Sequence, residues 1–429
     1  MGCQTSGGYN VNVRAWFVVG IGSLVFMSNY VDKAVVGVAG PTLLATTHIT
    51  KIQLGLIFTV FGVAYTFAAP LLCSLADRNG PRRVVAALVT VYGVFTVITG
   101  FVTASFGALL AARVFTGVGE SASMPAVTGG LRAWVPREAR ASVQGVLHAF
   151  TRVGAALTVP ATIFLLTHYG MRAPFALFGA ATLLVAGLWL ALFRDTPDGT
   201  PRRPAPVGEA WRAVLRSKTM WVLSLADFCY FYTVAIYLTW LPTFLVSERH
   251  FTLLNVGIYG ALPFLGGAAG GLLGGWLCDT LGERSGRMAL WRRIVPTVGM
   301  VGSVALSLPA AFATDQMRTI VLFTAAFFML DATVSVFWAI AMDVGGTYAS
   351  TSAGWMNSWA NAGAIVSPLV FGALVQLAHS WTLPFIVASG LMLVGAALVW
   401  GIDPDERLDA PAERSGGAAA GLLRVAGSR

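Results

Sequence analysis

Apolar runs long enough to cross a bilayer recur along almost the whole chain, and no other feature constrains its fold as strongly. They fall at 15–40, 52–76, 83–103, 106–129, 141–167 and 173–194, then at 220–246, 254–278, 293–313, 319–342, 352–377 and 382–402. About twenty residues of helix, at about 1.5 Å each, cover the roughly 30 Å of hydrocarbon in a membrane. Inside that layer the backbone must satisfy its own hydrogen bonds, so such runs are expected to be helices. Composition agrees, with 56% hydrophobic and 11% charged residues where soluble domains carry about 25% charged. The expectation is an all-α membrane protein of twelve spanning helices.

The one long polar break between spans is "RDTPDGTPRRPAPVGEAWRAVLRSK", rich in Pro and Arg. It divides the chain into a six-helix half at 1–194, a linker at 195–218, a second half at 219–402 and a tail at 403–429 that reads as disordered. Charge sets the orientation. With the N-terminus inside, sixteen Lys and Arg fall in cytoplasmic connections against four (Lys51, Arg172, Arg249, Arg318) on the other side. That asymmetry places both termini in the cytoplasm. The net charge of +9 therefore faces anionic headgroups, and nucleic acid is not an expected partner. Cys3, Cys73, Cys229 and Cys278 lack metal-ligand spacing, so neither a metal site nor a disulfide framework is expected. The opening MGCQTS meets the loose N-myristoylation pattern and reads as a chance match.

The halves echo one another. "CSLADRNGPRR" (73–83) follows the second span and "GWLCDTLGERSGR" (275–287) the eighth, each with an Asp at a helix end followed by Gly and Arg. Repeats at matching positions mark secondary transporters. The first loop resembles the signature between helices 2 and 3 of the major facilitator superfamily: Asp77, Arg78, Gly80 and Arg83 fit, while Cys73 stands where glycine is usual and is expected to loosen the packing there. "RVFTGVGE" (113–120) is similar to that superfamily's helix-4 motif. A finer resemblance is to the anion:cation symporter family, carried by "NYVDKAVVGVAGP", "RVFTGVGESASMPA", "YFYTVAIYLTWLPTFLV" and "NSWANAGAIVSP", and it spans about residues 14–402. The resemblance implies uptake of sugar acids and other carboxylates with protons. It also implies that the Asp77, Arg78, Arg83 and Asp279 loops bias the conformational equilibrium by acting at helix ends and arginines.

Charged side chains inside spans are costly and functional by default. Asn29, Asp32 and Lys33, at i, i+3 and i+4, share a face of the first span; Arg113 and Glu120 lie two turns apart in the fourth. Counted at about 1.5 Å per residue, the depths of Asp32 and Arg113 are compatible with contact. A carboxylate in a dry cavity holds a proton more tightly, and a nearby cation loosens it. Exchanging those influences would load and release a proton, and the resemblance assigns that role to Asp32 and Glu120. Lys33 stands where the family usually has arginine. It keeps the charge for a substrate carboxylate without the planar fork, and Arg113 is expected to partner the coupling acids. The alternative is an ion-pair cluster that only fixes helix packing.

The fifth span carries Gln144, His148 and Arg152 every four residues. Arg152 falls near mid-depth, where relatives often have a glutamine that contacts substrate, and an Arg there should meet an anion. Two readings stay open: it holds the second carboxylate of a diacid, or it pairs with Asp331 of span 10, which shares a face with Ser335 and Trp338. Asp331 and His148 are thus gate or second-carboxylate candidates, with His148 read first as a satisfied interior histidine. Tyr30, Tyr65, Trp240, Trp338 and Asn357 occupy positions that line the family's cavity, and Ser335 joins Lys33 and Arg152 as a substrate-contact candidate. Asp227, in span 7, is placed near the inner mouth.

The expected activity is proton-coupled import of a small organic anion (a sugar acid, aromatic acid or small dicarboxylate) by alternating access. The protein would work as a monomer in the cell's inner membrane, with no cofactor and no enzymatic chemistry. An exporter or antiporter on the same fold is the alternative, and a transport-dead anion sensor a more distant one.

Overall fold

The computed structural model describes residues 13–47, 49–198, 205–252 and 259–409. The MGCQTS match, Cys3, residues 199–204 of the linker and 410–429 of the tail lie outside them. Among the described residues every regular element is helical. Before the linker come α1 (Val13–Thr47), α2 (Lys51–Asn79), α3 (Pro81–Phe101), α4 (Phe106–Ser121), α5 (Ser123–Leu131), α6 (Arg140–Tyr169) and α7 (Arg172–Leu192). The linker holds α8 (Val207–Arg216), an amphipathic turn that the expectation of a plain polar connection missed. Its Ala210 and Val214, one turn apart, are buried while Glu209 and Arg212 face out. After it come α9 (Lys218–Thr239), α10 (Leu241–Ser247), α11 (Leu262–Ser285), α12 (Met288–Phe312), α13 (Gln316–Gly345), α14 (Ala349–Ala378) and α15 (Leu383–Val399).

Two expected spans are broken, both by proline. The 106–129 run divides at Ala122 because Pro125 has no N–H for the Ser121 carbonyl and its ring crowds that turn. The 220–246 run divides at Trp240 for the same reason, with Pro242 at the start of α10. By length and composition, eight stretches among the described residues can cross a membrane, one of them, Gln316–Ala378, containing both α13 and α14. The others miss for visible reasons: α15 is apolar but short, α4 is cut at Ser121, and the apolar stretch of α11 is diluted by glycines and by Asp279.

The helices before the linker pack on one another, chiefly α1 on α6, α3 on α7 and α2 on α4; those after it pair as α11 with α13, α12 with α13, and α9 with α14 and α15. The groups meet chiefly along two seams, α2 and α5 against α14 and α6 against α11 and α13. The first part of the expected tail is held down: Leu408 N–H donates to the Val344 carbonyl and Thr347 N–H to Asp409.

Cys73 sits on the α2–α14 seam, fully buried, and Gly354 of α14 faces it so closely that a Cβ at 354 would overlap the sulfur. The bulk lost by glycine on one side is thus taken by cysteine on the other, and the seam is tight where the sequence suggested loosening. Gly354→Ala should therefore destabilise the detergent-purified protein by about 1–3 kcal/mol, the usual cost of overpacking. Adding Cys73→Gly should recover most of it in thermal unfolding. Equal melting of Gly354→Ala and wild type would contradict this account.

Candidate functional site

Adjacent helix positions point about 100° apart, so Asp32 and Lys33 reach different partners on α4. Arg113 Nη1 bonds the Asp32 carboxylate at 3.0 Å, with both side chains 2% exposed. The other Asp32 oxygen accepts from the Thr96 hydroxyl of α3, a partner that no sequence pattern announced. Two turns further along α4, Glu120 is completely buried and lies 3.6 Å from the Lys33 ammonium. Lys33 differs from the buried Arg113 in keeping 29% of its side chain exposed, and its charge sits over the rings of Tyr65 (4.6 Å) and Tyr30 (5.2 Å). The break after α4 shapes this corner. It frees the Glu120 carbonyl, which accepts from the Ser123 hydroxyl and the Asn29 amide. The asparagine of "NYVDK" is therefore the group that holds the α4–α5 break.

Tyr30, Lys33, Tyr65, His148, Trp338 and Asn357 line one central cavity of about 180 Å3, with Phe231, Val234 and Leu238 of α9 as part of its apolar wall. Asn357 donates to the Tyr65 hydroxyl at 3.0 Å and so ties α14 to α2. His148 meets the Gln144 carbonyl through Nδ1 at 2.9 Å and lies edge-on to Trp338. It is a partnered interior histidine whose ring forms part of the cavity wall.

Arg152 grips Asp331 with two bonds, Nε at 2.8 Å and Nη2 at 2.9 Å. Of the two expectations for this arginine, the pairing across the groups is the one seen. Tyr230 of α9 donates to the same carboxylate; it opens the span-7 motif, yet nothing in that stretch marked this tyrosine as a partner of Asp331. Arg152 Nη1 is buried without a hydrogen-bond partner. Two expected lining residues stand elsewhere. Ser335 donates to the Gly271 carbonyl at 2.7 Å, joining α13 to α11. Trp240 is turned by the Pro242 break toward α14, where its N–H donates to the Pro368 carbonyl and its ring stacks on Phe371.

At the arginine-rich end the two echoed loops make matching contacts. Asp77 accepts from the backbone N–H groups of Ser350 and Thr351 at the start of α14, and Asp279 from Ser142 at the start of α6. Each carboxylate caps the N-terminus of a helix in the other group, where free N–H groups and the helix dipole favour an anion. Between them lies Asp343, fully buried, which takes Arg140, Arg137 (3.4 Å) and Arg292 (3.2 Å). Sequence reasoning overlooked Asp343, although an acid closing a long apolar run opposite "PREAR" was a usable signal. Arg78 and Arg83 are exposed. Arg82, between them in the loop, donates to the Leu190 carbonyl that ends α7. The crowd of cations has a cost: burial first and neighbouring Arg140 second push the Arg132 guanidinium below its ordinary pKa.

Residues 22–368 match the family model of the Major Facilitator Superfamily. A probable sulfoacetate transporter of Cupriavidus necator is 34% identical over 93% of this chain and 96% of its own. A hexuronate transporter of Bacillus subtilis is 26% identical over 86% and 90%. The fold is similar to that of a human organic anion transporter, with a TM-score of 0.74 at 18% identity, covering 90% of this chain and 99% of that one.

Breaking a buried ion pair from one side leaves an uncompensated charge and costs about 3–5 kcal/mol. Arg152→Gln and Asp331→Asn should each lower thermal stability by that order, and the double variant should lie well above either. Additive losses in the double-mutant cycle would show that the two residues act separately.

Proposed function

The chain belongs to the Major Facilitator Superfamily and is a membrane carrier, not an enzyme; we propose that it imports a small organic anion together with protons. The observation that carries this reading is the state of Lys33. Arg113 and Arg152 are committed to Asp32 and Asp331, whereas Lys33 is partly exposed in the central cavity and only loosely held by Glu120. An entering anion meets that ammonium first. The cavity, about 180 Å3, is smaller than the roughly 300–1,000 Å3 of drug-sized sites. The cargo class is therefore a compact carboxylate or sulfonate of the kind named for the relatives, with Tyr30, Tyr65 and Asn357 offering hydroxyl and amide contacts.

Coupling follows from competition for one cation. Glu120, when ionised, holds Lys33; a proton on Glu120 removes that claim and leaves the ammonium to the substrate. Asp32 stands in the same relation to Arg113 and is the second coupling acid. In the proposed cycle two six-helix halves, twelve spans in all, rock about the cavity in the inner membrane, with both termini cytoplasmic. The arginine-rich end is then the inner gate: the Asp77 and Asp279 caps and the Asp343 cluster hold it shut in this conformation and release it in the other.

The test uses radiolabelled sulfoacetate and glucuronate in proteoliposomes. An inward proton gradient should drive accumulation, and a protonophore should collapse it. A hydrogen bond to a charged group is worth about 1.5–3 kcal/mol, so Lys33→Gln should lower uptake at least about tenfold. Glu120→Gln should abolish gradient-driven accumulation and keep exchange of internal for external anion. Accumulation driven by counter-substrate with no response to the proton gradient would overturn the coupling and favour an exchanger.

A further inference from the structure

Asp227 of α9 is completely buried, and neither carboxylate oxygen has a hydrogen-bond partner. Ser224, one turn earlier, is likewise buried with an unpartnered hydroxyl. Residues 224, 227, 231, 234 and 238 follow helical spacing along one face of α9, and Phe231, Val234 and Leu238 on that face line the central cavity. At about 1.5 Å per residue Asp227 lies roughly 13 Å from the start of α9, between the arginine-rich end and the cavity.

The surroundings supply no counter-charge. The helices packed most extensively on α9 are α14 and α15, and neither contains a single Asp, Glu, Lys, Arg, His, Cys or Tyr; α10 has none either. On α13, Asp331 is engaged by Arg152 and Tyr230, Asp343 by its three arginines, and Arg318 stands at the far end of the helix. On α8 the charges are Glu209, Arg212 and Arg216, and on α9 itself Lys218, Cys229, Tyr230, Tyr232 and Tyr237; none forms an ion pair with Asp227 among the described residues. Across the cavity Lys33 belongs to Glu120, and His148 to the Gln144 carbonyl. A buried carboxyl without cation or donor neutralises rather than remain charged.

We propose that Asp227 is a proton-carrying site of the second helix group, loaded while the arginine-rich end is closed and unloaded when that end opens and wets its face of α9. Its coupling role rests on the proton-driven reading above; its being protonated in the closed state does not. The geometry distinguishes it from Asp32 and Glu120, each of which has a cation beside it. Asp227 needs only hydration to lose its proton, and its position below the cavity makes it the last acid before the inner gate.

Two measurements on the full chain decide the matter. Folding takes up a proton at Asp227, because the unfolded chain ionises this group at neutral pH; wild-type stability should therefore fall as pH rises. Asp227→Asn lacks that loss, so in detergent it should melt above wild type by a margin that grows from mildly acid to alkaline pH. A variant that melts below wild type throughout, or by a margin that does not move with pH, would show a charged or merely packed residue and sink the idea. In proteoliposomes loaded with sulfoacetate, Asp227→Asn should lose gradient-driven accumulation at least tenfold and retain exchange. Wild-type accumulation in the variant with an unchanged pH profile, or loss of exchange as well, would overturn the coupling role. If the wild type itself shows no gradient-driven uptake, the symport reading falls and the coupling role with it, while the melting comparison still decides whether Asp227 carries a proton.

Discussion

A charge removed from water and sealed among helices has to find its opposite, and the architecture here is organised by how completely each one does. Asp32 with Arg113, and Arg152 with Asp331, are closed pairs with further hydroxyl donors, from Thr96 and Tyr230. Asp343 is oversupplied, with three arginines around one carboxylate. Glu120 and Lys33 are undersupplied: they face each other at 3.6 Å, and neither Glu120 oxygen has a hydrogen bond. Closed pairs fix helix positions, since separating them costs several kcal/mol. A loose pair can be rearranged by a proton or an anion, which is why the transport reading rests on Lys33 and Glu120 and not on the better-made contacts.

The same accounting explains how the two groups of helices meet. Asp77 and Asp279 sit at equivalent ends of α2 and α11, and each caps a helix across the seam, α14 and α6 respectively. Such a cap is strong while the helix terminus stays in place and is lost in one step when it slides, because the interaction fades within the first turn. The seams themselves are close, as at Gly354, where a Cβ would overlap the Cys73 sulfur. Tight packing with polar clasps at one end gives two discrete arrangements more readily than a continuum, since packed interfaces resist partial displacement.

Much of this was legible in the chain because period and cost are local. The spacing of Asn29, Asp32 and Lys33, and of Arg113 and Glu120, put these residues on facing stripes, and the contacts follow. The echoed loops announced Asp77 and Asp279 as a pair. What stayed hidden depended on three-dimensional detail. Pro242 redirects Trp240 into the α14 contact, so a residue that belongs to the cavity face by motif leaves it by geometry. Ser335 shares a stripe with Asp331 and Trp338, yet Gly271 comes near enough to accept its hydroxyl. Thr96 binds a carboxylate from a helix whose sequence reads as a plain apolar stretch, and Tyr230 does so from within a motif that was read for its Trp-Leu-Pro end. Arg152 could meet either a substrate anion or Asp331 as far as depth alone could say; only the side-chain geometry puts it on Asp331.

The lysine at position 33 gains a physical reason from these contacts. An arginine there would present a planar fork with five donors, suited to clamping a carboxylate in one fixed geometry. Glu120, buried one face away, would be such a carboxylate, and the clamp would be hard to undo. An ammonium is a compact charge on a flexible stem, and here it rests between the faces of Tyr30 and Tyr65. Those rings hold a cation without directional bonds, each contact worth about 0.5–2 kcal/mol depending on solvation. The charge can therefore pivot from Glu120 to an arriving anion while keeping part of its stabilisation throughout. The forked geometry is present instead at Arg152, where Asp331 fills it and where holding the two helix groups in register is the need. In the proposed cycle the two cations divide the labour: Lys33 is free to answer the cargo, while Arg152 stays fixed on Asp331.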